Sequence, residues 1–286
     1  MERSRTALAF LAPALAIIAV FGVYPIAYAF ALSFQHYNVL HSSWVGGDNY
    51  RRVLLDPIVH KALLNTIVYT LVVVAAGVTI SLGLALLLHA RSAAWQTTCK
   101  ALYYLPAQIG VVVTAVVWVY LFAPVDGLLN HLLAALHLPQ PLWLADPHTA
   151  LPAIMATAVI GGHGAGVILY LAALAGIPQS YYEAARLDGA SAWRQFWGIT
   201  FPLIRPTTIY VLIIGFIGSF QVFGAIYLMT QGGPQFSTDT VVYDIYDAFF
   251  KRGEVGIACA EAFLLGIIIV LVSLLQYRVL ASDVEY

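Results

Sequence analysis

Charged side chains are scarce in this chain. Asp, Glu, Lys and Arg make up only 9% of its 286 residues, whereas about 25% is usual in a soluble domain. So few charged residues cannot cover the surface of a soluble enzyme of this length. The 61% hydrophobic content excludes a disordered chain. The 13 Lys and Arg against 14 Asp and Glu leave no basic field for nucleic acid, and two cysteines cannot build a disulfide scaffold. The composition therefore indicates an integral membrane protein.

The charges are missing from six stretches, in which Glu261 is the one charged residue. Each stretch reaches the roughly 20 apolar residues that a helix needs to cross a hydrocarbon layer of about 30 Å. The stretches are apolar all round, without the alternation of a β-barrel strand, and lipid cannot satisfy open backbone groups. We therefore expect an all-α integral membrane protein, a single transmembrane domain over 1–286, with six helices at approximately 7–34, 62–89, 101–123, 150–176, 207–230 and 257–277.

The Lys and Arg distribution predicts the orientation of the chain. The first stretch is roughly twice as long as the apolar part of a signal peptide, so we expect it to be retained as a helix. With both termini in the cytoplasm, eight Lys and Arg lie inside and five outside. The loop 124–149 has neither residue, which favours an outside position. The inside residues are Arg3, Arg5, Arg91, Lys100, Arg186, Arg194, Arg205 and Arg278.

The loop between the fourth and fifth stretches, 178–206, contains signals for two short helices. Ser180 followed by Glu183 has the spacing of a capping box, and Gly189 suits a left-handed helix stop. A second helix is predicted to begin near Ser191. Its aromatic residues share one face by their i, i+3 and i+4 spacing, and glycine and proline are expected to end it before the next span. These residues are Trp193, Phe196 and Trp197, followed by Gly198, Pro202 and Pro206.

The chemistry of this loop is compatible with two roles. Its apolar faces need a partner, which is either the chain's own membrane domain or another protein.

Polar groups near the middle of two stretches are candidates for a substrate pathway, because such groups are costly in lipid and often functional. The fourth stretch holds Gly162 and His163 among further glycines, and the fifth holds Ser219, Gln221 and Phe223. The serine and glutamine offer hydrogen bonds to hydroxyl groups, and the phenylalanine offers a stacking face. The alternative is structural: close helix packing through small residues, with interhelical hydrogen bonds.

The segment before the last span predicts an amphipathic helix along the outer surface. Val242, Ile245, Tyr246 and Phe249 have helical spacing and are flanked by Asp244 and Asp247. We expect Glu261 to be solvated or paired near the outer interface rather than to relay protons. The loop histidines lack the H-x-x-x-H spacing of a helical zinc site, so no metal site is predicted.

The loop 178–206 resembles the EAA loop of bacterial ABC importer permeases, and the resemblance extends over nearly the whole chain. Within the loop it rests on Glu183-Ala184-Ala185, Asp188-Gly189-Ala190, Phe196, Ile199-Thr200, Pro202 and Pro206. Outside the loop, the residues resemble the MalF/UgpA/LacF-like carbohydrate-uptake permeases. They are Tyr24-Pro25, Ser33-Phe34, Asn49-Tyr50, Asn65-Thr66, Tyr104-Leu105-Pro106, Trp118, Gly127-Leu128-Leu129-Asn130 and Thr230-Gln231-Gly232-Gly233-Pro234.

This resemblance implies a MetI-like type I ABC importer permease fold in a bacterial or archaeal cytoplasmic membrane. The implied partners are a second related permease subunit, a cytoplasmic ATPase dimer that binds ATP and Mg, and an extracytoplasmic solute-binding protein that delivers a sugar or sugar-like solute. The chain itself is implied to bind no cofactor. The residues implied to contact the ATPase are Glu183, Ala184, Ala185, Asp188, Gly189, Ala190 and Phe196.

Two other classes of function compete with this interpretation. A stand-alone secondary transporter or channel would show intramembrane carboxylates and internal repeats, and a membrane-embedded enzyme would need clustered His or carboxylates at the membrane face. The chain has no G-x-x-x-x-G-K-[ST] phosphate loop, so ATP hydrolysis by that route must come from a separate subunit. The scarcity of intramembrane Lys and Arg favours a neutral solute.

Overall fold

The computed structural model describes residues 2–37, 42–162 and 164–280. The chain is predominantly helical, as predicted from composition, with one two-stranded antiparallel ribbon in the described part. The first elements are α1 Glu2–Ile18, α2 Tyr24–Leu32, β1 Gln35–Tyr37, β2 Ser42–Trp44, α3 Asp48–Leu55, α4 Pro57–His89, α5 Ala93–Gln108, α6 Val111–Leu121 and α7 Leu128–Ala135. They are followed by α8 Ala150–Gly161, α9 Gly164–Ala175, α10 Gln179–Leu187, α11 Ala192–Gln195, α12 Phe201–Phe220, α13 Gly224–Met229, α14 Val241–Tyr246 and α15 Val255–Leu280.

Four helical segments in the described part of the chain are long and apolar enough to cross a membrane: Phe10–Leu32, Pro57–His89, Ala192–Met229 and Val255–Val279. The pair α8 and α9 makes a fifth if it is counted as one span bent by 43°. The third predicted span, 101–123, is divided between α5 and the 11-residue apolar helix α6. The division falls where Gly110 adopts a non-helical backbone with ψ 147°.

The chain packs as two units, of which one comprises the described parts of 1–60 and 244–267. Asn49 is only 1% exposed, and its amide donates to the carbonyl oxygens of Ser33 at 2.9 Å and Gln35 at 2.8 Å. The Ser33 hydroxyl and the Tyr50 hydroxyl are 2.7 Å apart. Gly256 approaches the Gln35 carbonyl oxygen and the Asn49 amide so closely that a side chain there would overlap both. The buried Asn49 amide and Gly256 thus join α2, α3 and α15, beside an apolar cluster of Leu32, Val255 and Cys259.

The other unit comprises the described parts of 61–243 and 268–286. Its apolar core joins α4, α9 and α12, and α9 also lies close against α5. The approach is closest at Gly164, where a Cβ atom would overlap the Tyr103 carbonyl oxygen and lie 2.9 Å from the Tyr104 Cα. The core residues are Ala85, Leu88, Val167, Tyr170, Leu171, Leu174 and Ile204.

Two loops of this second unit are fixed by asparagine side chains. The Asn130 amide donates to Pro124 O at 2.9 Å and Pro141 O at 3.1 Å, and its own oxygen accepts from Trp143 Nε1 at 2.7 Å. The Asn65 amide donates to two carbonyl oxygens of the loop after α13, at 3.1 and 2.8 Å. Both loops are thus ordered by side-chain hydrogen bonds rather than by apolar packing alone.

We expect Gly164→Ala to lower the free energy of unfolding by about 1–3 kcal/mol, because the added methyl group meets backbone atoms of α5 that cannot rotate away. Gly83→Ala in α4 is the matched control, since a methyl group at that position would have no atom within 4 Å of it. Thermal unfolding of both variants in detergent is the measurement. Equal stability of the two variants would contradict the close packing of α5 and α9.

Candidate functional site

Three helix interruptions lie around one cavity of about 550 Å³ in the second unit. The first separates α5 from α6, the second separates α8 from α9, and the third separates α12 from α13. The lining therefore comes from helix ends as well as from side chains. It consists of Tyr69, Val73, Ile109, Val111, Thr114, Thr157, Ala158, Gly161, Gly162, Val222, Phe223, Gly224 and Ala225.

The interruptions have local causes. Gly110 leaves the helical region, Gly162 ends α8 with φ −95° and ψ 3°, and Phe223 precedes α13 with φ −137°. A Cβ atom at Gly162 would lie 2.6 Å from the Ala158 carbonyl oxygen, so only glycine fits this turn without a shift. Helix ends leave backbone N–H and C=O groups without intrahelical partners. Within a membrane, such groups are tolerated where they line a cavity.

The cavity is suited to an uncharged polar solute. Hydroxyl groups on its wall come from Tyr69, Thr114 and Thr157, and Phe223 contributes an aromatic ring. The Thr157 hydroxyl donates to the Ile154 carbonyl oxygen at 2.8 Å, which leaves its oxygen able to accept from a ligand. Among the described lining residues there is no Asp, Glu, Lys or Arg. The chemistry offered is hydrogen bonding and ring stacking without a fixed charge.

The pathway residues predicted from the sequence do not all lie in one cavity. Gly162 and Phe223 line this cavity, whereas Ser219 lines an adjoining cavity of about 300 Å³ that also reaches Gly162. Gln221 is exposed and lines neither cavity. His163 lies outside the described residues. The sequence reasoning missed Tyr69, Thr114 and Thr157, although hydroxyl side chains inside apolar stretches were a usable signal.

The second candidate site is the loop 178–206, which forms two helices joined by a glycine turn. Gly189 has φ +74°, and the turn is closed by hydrogen bonds from Gly189 N to Arg186 O at 3.0 Å and from Ala190 N to Ala185 O at 2.9 Å. The left-handed stop predicted at Gly189 is confirmed. The Ser191 side chain accepts from Arg194 N at 3.4 Å, so the predicted start of the second helix is also confirmed.

Two predicted details of this loop are wrong. The helix α10 begins at Gln179 after Pro178, without a side-chain cap, so Ser180 and Glu183 do not form a capping box. The second helix does not end at the prolines. It continues into α12 through a π-helical turn at Phe196–Thr200, in which Phe201 N–H donates to Phe196 O. Pro202 lies at the start of α12, where proline is tolerated.

The loop carries an exposed apolar surface. Leu187 is 90% exposed and Trp193 is 72% exposed, next to Trp197 at 48%. The rings of Trp193, Phe196 and Trp197 pack against one another with centroids 5.1–6.4 Å apart, as their spacing predicted. Of the residues implied to contact an ATPase, Glu183, Ala184, Asp188 and Gly189 are exposed, and Ala185, Ala190 and Phe196 are half-buried. The Tyr182 hydroxyl lies 2.8 Å from Thr200 Oγ1 and ties the two helices together.

Comparison with known proteins identifies the family of this chain. Residues 77–284 match the family described as "Binding-protein-dependent transport system inner membrane component". The chain belongs to this family. It is accordingly a multi-pass membrane protein and a transport component.

Two relatives cover almost the whole chain. It is 31% identical over 273 residues to the lactose transport system permease protein LacF of Rhizobium radiobacter, covering 94% of this chain and 91% of that protein. It is 30% identical over 283 residues to the sn-glycerol-3-phosphate transport system permease protein UgpA of Agrobacterium fabrum (strain C58 / ATCC 33970), covering 96% and 94%. The resemblance to carbohydrate-uptake permeases is confirmed at this level.

A solved structure confirms the fold. The chain superposes on a chain of a bacterial alginate ABC transporter, crystallised in complex with an alginate pentasaccharide-bound periplasmic protein, with a TM-score of 0.86. The match covers 97% of this chain and 94% of that chain at 23% identity. The predicted ABC importer permease fold is therefore correct.

We expect Phe223→Ala to weaken the apparent affinity for transported solute about two- to tenfold, since ring stacking contributes roughly 0.5–1.5 kcal/mol. The matched comparison is Gln221→Ala, two residues away and outside the lining, which should change affinity less. The measurement is the concentration dependence of uptake into proteoliposomes. A larger loss in the Gln221 variant than in the Phe223 variant would contradict the position of the site.

Proposed function

We propose that this chain is the transmembrane permease subunit of an ATP-driven ABC importer for a sugar or sugar-like solute. The observation that carries the proposal is the uncharged cavity at which three helix interruptions meet. Backbone donors and acceptors, three hydroxyl side chains and one aromatic ring are the groups with which proteins bind carbohydrates. The name of the LacF relative, a lactose permease, supports this solute class.

The same cavity favours a neutral solute over an anionic one. UgpA is named for transport of sn-glycerol-3-phosphate, and the alginate transporter imports an acidic polysaccharide. A phosphate or carboxylate calls for an Arg or Lys partner, and the described lining contains neither. This chain would line one half of the pathway, and a second permease subunit would line the other half. The preference for a neutral solute applies to the half that this chain lines.

ATP hydrolysis is proposed to take place on a separate cytoplasmic subunit that binds ATP and Mg. The loop 178–206 supports this assignment because it presents exposed Leu187 and Trp193 beside the charged Glu183 and Asp188. An exposed apolar surface of this kind marks a protein interaction site. Ala184 and Ala185 would allow a close approach of the partner, and Glu183 would face a basic residue on it. The fixed turn at Gly189 would transmit movement of the loop directly into α12.

The remaining partners complete an importer of the binding-protein-dependent type. They are a second related permease subunit, an ATPase dimer and an extracytoplasmic solute-binding protein. The family description supports the binding protein, and the alginate transporter was crystallised with one. The proposed location is a bacterial or archaeal cytoplasmic membrane with both termini in the cytoplasm, for which the Lys and Arg distribution is the support.

We expect Glu183→Lys to reduce ATP-dependent uptake tenfold or more, roughly 1.4 kcal/mol for each factor of ten, because it places a cation against a basic ATPase surface. Arg91→Glu is the control, a charge reversal of equal size at the exposed turn after α4. The measurements are solute uptake and copurification of the ATPase with the tagged chain. Full uptake by the Glu183 variant at normal membrane levels would exclude the proposed coupling role.

A further inference from the structure

Two carboxyl groups are buried together in the unit formed by 1–60 and 244–267. Asp244 is 3% exposed and Glu261 is 1% exposed, and the two carboxyl groups lie within hydrogen-bonding reach of each other. The sequence predicted an amphipathic outer helix flanked by Asp244 and Asp247, and a solvated or interface-paired position for Glu261. In the structure Asp244 is buried, whereas Phe249 of the expected apolar set is 41% exposed. Glu261 is paired, but within the protein and with another acid.

The positive charge near this pair is limited. Arg252 Nη2 lies 2.7 Å from Asp244 Oδ1, but the same guanidinium also pairs with Asp247 Oδ2 at 3.3 Å and Glu254 Oε2 at 3.7 Å. Lys251 pairs with Asp247 at 3.1 Å, on the more exposed side. Asp56, which follows α3, adds a further negative charge that faces Asp244. One arginine therefore serves three carboxylates, and its charge is divided among them.

The protonation of the pair follows from this arrangement. Ionised carboxylates are acceptors only, so Asp244 and Glu261 can share a hydrogen bond only when one of them carries a proton. Two adjacent carboxylates in a buried site do not both ionise readily, since like charges disfavour each other where water is excluded. Burial raises the pKa of the Asp244 carboxyl, Arg252 lowers it, the charges of Asp56 and Asp247 raise it, and the contact with Glu261 lowers it; the net effect is a raised pKa.

We propose that Asp244 and Glu261 hold one shared proton at neutral pH and that this proton fastens the segment Asp244–Arg252 to the first turns of α15. The pair is then a proton-binding site built into the outer part of the last span. When the proton leaves, two negative charges face each other across the contact, and the segment separates from α15. The inference is independent of the solute and of the ATPase.

The direction of the pH dependence is fixed by linkage. A carboxyl group whose pKa is raised by folding binds its proton more tightly in the folded state than in the unfolded state. For Asp244, this contribution to stability is complete below the unfolded-state pKa, about 3.9 for Asp. The contribution is lost as the pH rises through the raised folded-state pKa. The protein is therefore expected to lose stability on the alkaline side.

The test is thermal unfolding of the full chain in lipid nanodiscs across neutral and alkaline pH. The wild type should show a falling Tm as the pH rises. Glu261→Gln should remove most of that fall, because the uncharged amide keeps a donor to Asp244 at every pH. The control is Glu254→Gln, which changes a half-exposed carboxyl of the same arginine network and should keep the wild-type pH dependence.

A second measurement does not depend on how the variants fold. Infrared difference spectra of the wild-type protein should contain the C=O band of a protonated carboxyl at neutral pH, and this band should disappear on alkaline titration. Absence of that band in the wild type overturns the proposal. A Glu261 variant that folds and keeps the full alkaline loss of Tm also overturns it.

Discussion

Lipid offers the backbone no hydrogen-bond partner, and the rest of this structure depends on that constraint. The long apolar segments are helical because a helix satisfies its N–H and C=O groups internally. Where the helices stop in the described parts of the membrane domain, at Gly110, Gly162 and Gln221–Phe223, the freed groups surround one cavity. The interruptions and the cavity are therefore one feature. The helix ends supply polar backbone groups to the cavity wall, and the cavity keeps those groups away from lipid. A solute in the cavity would replace the partners that lipid cannot supply.

The same constraint explains three asparagines in the connecting segments. Asn49, Asn65 and Asn130 each donate two hydrogen bonds to carbonyl oxygens of a neighbouring loop. Apart from Gln35 at the start of β1, the acceptors are backbone carbonyl oxygens outside the helices and strands. All three residues belong to the short patterns that resemble the permease family in the sequence. Those patterns are thus anchoring points of loops, which accounts for their spacing between the spans.

Charge follows a related rule. The spans contain almost no ionised group, and two groups of charged residues outside them are the loop 178–206 and the segment around Arg252. In the loop, charge and apolar surface are both exposed, which suits a surface that binds another protein. Around Arg252, three carboxyl groups share one guanidinium, and this shortage of counter-charge is the setting of the proposed shared proton. The two clusters differ in burial: the loop exposes its charged side chains, whereas Asp244 is packed within the chain.

The sequence by itself determined the membrane class, the helical spans, the left-handed turn at Gly189 and the family, because these depend on local composition and spacing. It did not predict the division of the third span, the helix that runs through Pro202, or the absence of a cap at Ser180. Only the tertiary structure decided that Tyr69, Thr114, Thr157 and Phe223 share a cavity while Gln221 does not. It alone brought Asp244 to Glu261, 17 positions later in the sequence. The reason is that helical periodicity is a local property, whereas which face of a helix meets which neighbour depends on packing between segments distant in sequence.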